Sequence, residues 1–236
     1  IIDNDYKDCK ELIIICVLKG AAFFTVDLVK KMKTPIVNFV NAYAEKNMSR
    51  MHMPGHKGKG FLGCEKFDIT EVSGADSLYE ADGIIAESEA NATKLFGTGR
   101  TVYSTEGSSQ CIRAMLHLAV MNWKTFVKAG ERPLVIAARN VHKAFVYAAA
   151  LIDFDVDWLW PEGEMNSLCS CQVSKEMVEE RLKALKEQGI IPAAVYLTSP
   201  DYLGQIQDIK GIAEVCHQYG TILTIDNAHG AYLHFT

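Results

Sequence analysis

The chain has 236 residues, 49% hydrophobic and 22% charged, with a formal net charge of −5. That is enough apolar sequence for one large core or two modest ones, and it excludes wholesale disorder. The mild acidity and the scatter of the lysines exclude the electrostatic footprint of a DNA or RNA partner.

In chain order, residues 12–17 predict a strand, Leu18-Lys19-Gly20 a tight turn, and the following stretch an amphipathic helix through Lys31. The apolar run 12–18 is too short to span a bilayer. Asp3, Asp5 and Asp8 precede it where a signal peptide carries positive charge, so a soluble cytoplasmic protein with no membrane partner is expected. Thr34 as N-cap and Pro35 at the first helical position open a helix whose Ile36, Phe39, Val40 and Tyr43 share a face, ending near Asn47. A Gly-rich loop follows, Met53-Pro54-Gly55-His56-Lys57-Gly58-Lys59-Gly60, then turn-rich sequence to about Asp82, and a helix over 84–96 that Gly97 closes.

From there strands and helices alternate. Strand 101–104 leads to a helix over 109–121, strand 134–138 to a helix over 141–151, and 156–160 is a further strand. Ser174 caps a helix with Met177, Val178, Leu182 and Leu185 on one side, followed by strand 193–198, a helix over 208–218 ended by Gly220, and strand 221–225. This rhythm predicts an α/β fold, a mostly parallel sheet sandwiched by helices. Three segments emerge: a strand-turn-helix piece at 1–31, an arm helix at 32–50, and a large domain at 51–236.

Four loops fall at the carboxyl ends of predicted strands, where open α/β sheets keep their ligand chemistry. In Thr105-Glu106-Gly107-Ser108-Ser109, two hydroxyls and free backbone N–H groups at a helix start suit a phosphate, although a serine there also reads as a plain cap. In Arg139-Asn140-Val141-His142-Lys143, the imidazole can lie flat against an aromatic cofactor or be satisfied by backbone. Thr198-Ser199-Pro200-Asp201-Tyr202-Leu203-Gly204 turns sharply after a strand and with the other loops describes one site, although turn chemistry explains its Pro and Gly without a ligand. The last is Asp226-Asn227-Ala228-His229-Gly230, in which a carboxylate ends a buried strand.

Metal and nucleotide motifs fail on geometry. His52 and His56 have the spacing of a helical zinc pair, but Pro54 and Gly55 intervene and no Glu follows His52. Cys169-Ser170-Cys171 lacks a second ligand pair, and Gly55 to Gly60 has the Walker A interval with Phe61 where Lys is required. The seven cysteines (9, 16, 64, 111, 169, 171 and 216) form no paired framework, which fits a reducing compartment. No metal is expected.

Taken together, Asp226-Asn227-Ala228-His229-Gly230, Arg139-Asn140-Val141-His142-Lys143, Gly107-Ser108-Ser109 and Met53-Pro54-Gly55-His56-Lys57-Gly58 resemble the ornithine/lysine/arginine decarboxylases, fold-type I enzymes dependent on pyridoxal 5′-phosphate (PLP). Phe67-Asp68-Ile69-Thr70-Glu71-Val72 and Leu78-Tyr79-Glu80 add to the likeness, which runs from about Met32 to Thr236. It implies an incomplete large domain of the aspartate aminotransferase-like PLP fold. It places Gly107, Ser108 and Ser109 at the cofactor's phosphate, His142 on its ring, Asp226 at the pyridine nitrogen and His229 near the phenolic side, with His56 and Lys57 toward the substrate. It further implies decarboxylation of a small basic amino acid (lysine, ornithine or arginine) and a homodimer, or pairing with a decarboxylase partner subunit.

Two departures stand out. Glu106 occupies a position where the family more often has Asn, and a carboxylate repels a phosphate unless it points away or pairs with a cation. The family's Schiff-base lysine follows Ser/Thr-x-His, whereas the two His-Lys dipeptides here, His56-Lys57 and His142-Lys143, lack Ser or Thr at that offset. The lysine is therefore expected beyond Thr236, and the chain, read as a truncated form, is expected to be inactive alone. A non-catalytic PLP-fold binding or regulatory module is the alternative. Residues 12–21 with Phe23, Phe24, Asp27 and Leu28 separately resemble the pyrophosphate loop and helix of hypoxanthine phosphoribosyltransferases, making 1–31 an expected fragment of that kind.

Overall fold

The computed structural model describes residues 13–15, 33–128, 130–161 and 169–235. The chain divides into two compact units, one of residues 1–20 with 104–236 and one of residues 21–103.

The larger unit is built on five parallel strands: β1 (Ile13–Ile15), β2 (Leu134–Ala138), β3 (Asp155–Leu159), β4 (Ala194–Thr198) and β5 (Ile222–Asp226), in the order β1-β5-β4-β2-β3. Every residue of β4 is buried, as expected for a central strand covered on both faces. The period of two splits the side chains. Ile136, Ala138, Val195, Leu197, Leu223 and Ile225 enter one core layer, and Val135, Ala137, Ala194 and Tyr196 enter the other.

Helices cover the two faces. On the Tyr196 face lie α3 (Ser108–Trp123) and α4 (Lys143–Ile152), and on the opposite face α5 (Lys175–Glu187) and α6 (Ile209–Gln218). The two helices preceding these, α1 (Pro35–Glu45) and α2 (Ile84–Phe96), belong to the other unit. In α3 the buried positions Ile112, Met115, Leu116, Ala119, Val120 and Trp123 repeat at three and four residues, one apolar stripe. Full burial of Met115 and Leu116 contributes roughly 2 kcal/mol each. Trp123 meets its polar need by donating Nε1–H to the Ile191 carbonyl at 2.6 Å.

This layering places a crevice. The helix after β2 packs on one face and the helix after β4 on the other, although β2 and β4 are neighbours. The chain thus leaves the sheet in opposite directions at their carboxyl ends, the arrangement that opens a ligand crevice in doubly wound sheets.

The ends of the elements follow local chemistry. Ser174 accepts from Met177 N at 3.2 Å and Asp208 from Gly211 N at 3.0 Å, while Gly97 ends α2 in the left-handed region at φ 63°. Thr34 stands at the N-cap position of α1, but its hydroxyl bonds to Asn38 Oδ1 at 3.1 Å. Ile36, Phe39, Val40 and Tyr43 are the half-buried face of that helix, as their spacing predicts.

One expected strand is absent. Residues 101–104 run as irregular chain, because their N–H groups are taken by side chains of α2: Thr101 N donates to Thr93 Oγ1 at 2.9 Å and Tyr103 N to Glu89 Oε1 at 2.8 Å. The strand expected at 12–17 is described over Ile13–Ile15, where it pairs with β5. The turn and helix expected at 18–31 lie outside the described residues. Among the described residues, no helix is long and apolar enough to cross a membrane.

Candidate active site

A cleft of about 260 Å³ opens at the carboxyl ends of the strands, wholly within the larger unit. It is lined by Ser108 from α3, His142 ahead of α4, Thr198 from β4, and Tyr202, Asp226 and His229 with Ala228. The four loops singled out for chemistry thus converge on one cleft.

The floor is Asp226, the last residue of β5, only 6% exposed. Its Oδ1 accepts from Ala228 N at 3.2 Å and its Oδ2 from the Tyr196 hydroxyl at 3.1 Å. Thr198 is its register partner on β4. The Thr198 hydroxyl is buried and has no hydrogen-bond partner, although it lines the cleft. A buried unpaired hydroxyl is costly in an isolated protein, and its place in a cleft marks a position for a ligand's polar atom.

One wall is the start of α3. Gly107 takes the N-cap position at φ 68°, and no side chain caps the helix. Ser108 and Ser109 are therefore the first helical residues, their hydroxyls not used as caps, and Ser108 lines the cleft. A helix N-terminus with uncapped N–H groups attracts an anion. Ser104 braces the approach by donating its hydroxyl to Gln110 Oε1 at 2.5 Å and accepting from Glu106 N at 3.3 Å. Glu106 is paired with Arg113 at 2.8 Å, so the carboxylate has the cation it requires beside an anion site.

His142 is the N-cap of α4, where Nδ1 accepts from Ala144 N at 3.2 Å. That bond fixes the ring and, in the neutral imidazole, leaves the proton on Nε2. His229 is held by Tyr202, ring centroids 4.8 Å apart at 56°. Gly230 permits the turn to close: a Cβ there would meet Pro200 Cδ at 2.4 Å, so 226–230 and the loop after β4 approach as only glycine allows.

His56 and Lys57 lie in the other unit. His56 Nε2 is 3.1 Å from Asp68 Oδ2 and its Nδ1 accepts from Gly58 N at 3.0 Å, while Lys57 Nζ donates to the His52 carbonyl at 2.6 Å. Among the described residues no three His, Cys, Asp or Glu side chains gather to hold a metal ion. Cys171 is buried with its thiol directed at the Leu159 carbonyl, and Cys169 is exposed.

Tyr196 was not legible as a site residue, whereas Thr198 and Tyr202 belong to one of the four loops at the strand ends, without a role of their own read for them. The available signal was parity: Tyr196 and Thr198 share a strand face, and β4 ends beside β5 at Thr198 and Asp226. The assembled groups fit a phosphorylated nitrogen heterocycle such as PLP. An uncapped helix start would suit its phosphate, a buried carboxylate its ring nitrogen, and the unpartnered Thr198 hydroxyl a further polar atom.

The family model for the Orn/Lys/Arg decarboxylase major domain matches residues 34–236. The arginine decarboxylase of Halalkalibacterium halodurans is 30% identical over 217 residues, covering 87% of this chain and 41% of that protein. The arginine decarboxylase of Bacillus subtilis is 27% identical over 213 residues, with 86% and 41% covered. The chain thus spans about two-fifths of the length of these curated relatives. Among solved structures, the constitutive lysine decarboxylase of E. coli superposes with a TM-score of 0.64 at 20% identity, over 91% of this chain and 31% of that one. Mouse CSAD gives 0.52 at 19% identity over 66% and 34%. Both share the parallel α/β fold described above, and with the match across 34–236 the chain belongs to the Orn/Lys/Arg decarboxylase family.

Proposed function

We propose that the cleft binds PLP and that these residues serve the decarboxylation of a basic amino acid, lysine, ornithine or arginine, to its amine. The observation that carries this is Asp226, a buried carboxylate at the end of β5 facing a cleft that also contains His142 and an uncapped helix start. When bound, the cofactor supplies an electron sink for the pair left at Cα as CO2 departs.

The chain's own part is binding and electrostatics. Ser108 and Ser109, with the first N–H groups of α3, would hold the phosphate, and the helix dipole favours its charge. His142 would lie against the ring, its orientation fixed by the Ala144 N–H. Asp226 would keep a proton on the ring nitrogen, because the charged pair is favoured at a site shielded from water. His229 would stand near the phenolic oxygen, braced by Tyr202. Since the chain spans two-fifths of its curated relatives, the complete reaction is proposed for the protein to which these residues contribute the major domain. Association as a homodimer or with a decarboxylase subunit is part of the same proposal.

Calorimetry with PLP tests the binding reading. The wild-type chain is expected to bind, with Ser108→Ala/Ser109→Ala weakened about tenfold or more through lost charge-assisted hydrogen bonds. Equal affinity in the double variant and the wild type would place the phosphate elsewhere and sink the assignment.

A further inference from the structure

Tyr196 carries a hydroxyl into a largely apolar layer, beside its buried register partner Thr224. It is fully buried at the middle of β4, its ring 4.6 Å from that of Phe145, which also packs on Phe154 and Trp158. Phenylalanine would fill this volume without bringing a hydroxyl that must find a partner. That partner is Asp226 Oδ2 at 3.1 Å. The other carboxylate oxygen takes the Ala228 N–H at 3.2 Å, so Asp226 is gripped from beneath by the sheet and from above by the turn that follows it.

We propose that Tyr196 is a positioning residue for Asp226, its hydroxyl fixing the carboxylate's orientation and setting how strongly it holds a protonated nitrogen heterocycle in the cleft. This rests on the reading of Asp226 as the ring-nitrogen partner. A hydroxyl that shares the carboxylate's charge leaves less for the ring nitrogen. Burial first, and then the Asp226 charge, push the Tyr196 phenol well above its ordinary range, so it remains a donor throughout the working pH range. Among the described residues, the other titratable groups around Asp226 are Cys111 on α3, His142 ahead of α4, and Tyr202 and His229 in the loops. None of these takes up the contact that Tyr196 makes.

The experiment uses the whole chain and 4-deoxypyridoxine 5′-phosphate labelled with 15N in the ring, a probe that needs no covalent attachment. The ring-nitrogen shift is followed against pH in the wild type, Tyr196→Phe and Asp226→Asn. Tyr196→Phe is expected to bind and to hold the ring proton to a pH higher by at least about 0.5 unit, while Asp226→Asn loses the protonated signal. An unchanged or lower midpoint in Tyr196→Phe, with Asp226→Asn altered, overturns the role of Tyr196 and leaves that of Asp226 intact. A probe that does not bind, or an Asp226→Asn titration like the wild type, removes both readings. Should Tyr196→Phe not fold by circular dichroism, 3,5-difluorotyrosine placed at 196 keeps the packing and strengthens the donor. The midpoint must then move downward, and one that stays in place refutes the proposal.

Discussion

Glu106 sits two residues ahead of the helix start assigned to the cofactor's phosphate, and the ion pair with Arg113 decides whether its charge acts there. Freed of that partner, the carboxylate would repel a phosphate across the same loop. Arg113→Gln is therefore expected to weaken PLP binding roughly fivefold, the ~1 kcal/mol scale of a partly exposed ion pair. Adding Glu106→Gln should restore it, and calorimetry on the two single variants and the double reads the coupling directly. The thiols offer a second contrast between neighbours in sequence and in environment. Burial raises the Cys111 and Cys171 thiols and pushes Cys216 up to about 12, whereas Cys64 and Cys169 are exposed. A thiol reacts as its thiolate, so iodoacetamide at pH 8 should label Cys64 and Cys169 in the native protein and reach Cys111, Cys171 and Cys216 only on unfolding. Peptide mass mapping distinguishes the sets, and early modification of Cys216 would contradict the packing of α6 against the sheet.

At the scale of elements, the start of α2 is organised by one side chain. Asp76 stands at φ 64° and accepts from the N–H groups of Ser77, Asp82, Gly83 and Ile85, at 2.8, 3.2, 2.9 and 2.9 Å. Burial opposes its ionisation, but those four donors outweigh it and hold the carboxyl down to about 2. The folded value lies below the unbound one of 3.8, so its stabilisation is fully present above about pH 4 and is lost as the pH falls through about 2. Amide exchange at Gly83 and Ile85 should therefore stay protected down to that range in the wild type. In Asp76→Ala it should be fast at every pH. Interactions as local as these were partly readable from sequence: Ser174, Asp208 and Gly97 mark helix ends because a cap needs only three or four residues. Residues 101–104 were not readable. Their β-like composition is overruled by Thr93 and Glu89, side chains of a helix that precedes them. Gly230 belongs to the same class, since its need for no Cβ arises from Pro200, thirty residues earlier.

Across the larger unit, the alternation of strand and helix was enough to predict a parallel sheet and to bring His142, Asp226 and His229 to one end of it, whereas Ser108 reaches the cleft from irregular chain, its expected strand at 101–104 being absent. What alternation does not carry is the face on which each helix lies or the order of the strands, and these decide that Tyr196 and Thr198 meet Asp226. The cleft therefore depends on one core layer more than on the other. Phe145 packs beneath Tyr196 from α4, while Leu182 of α5 is equally buried in the opposite layer. Phe145→Ala should cost about 3–5 kcal/mol and Leu182→Ala about 2–5 kcal/mol in urea unfolding, through lost burial and residual cavity. Their effects on the cleft should diverge. With Phe145 removed, the residual cavity lets the end of β4 shift, so that Thr198 and Asp226 lose their placement in the cleft, and affinity for a PLP-type ligand should fall several-fold under conditions where the variant is still folded. With Leu182 removed, the sheet loses support on the side away from the cleft, and affinity should stay within about twofold of wild type because sites in separate packing environments act nearly independently. Equal losses of affinity in the two variants would show that the sheet transmits strain between its faces, and that the site is a property of the whole core rather than of the layer containing Tyr196.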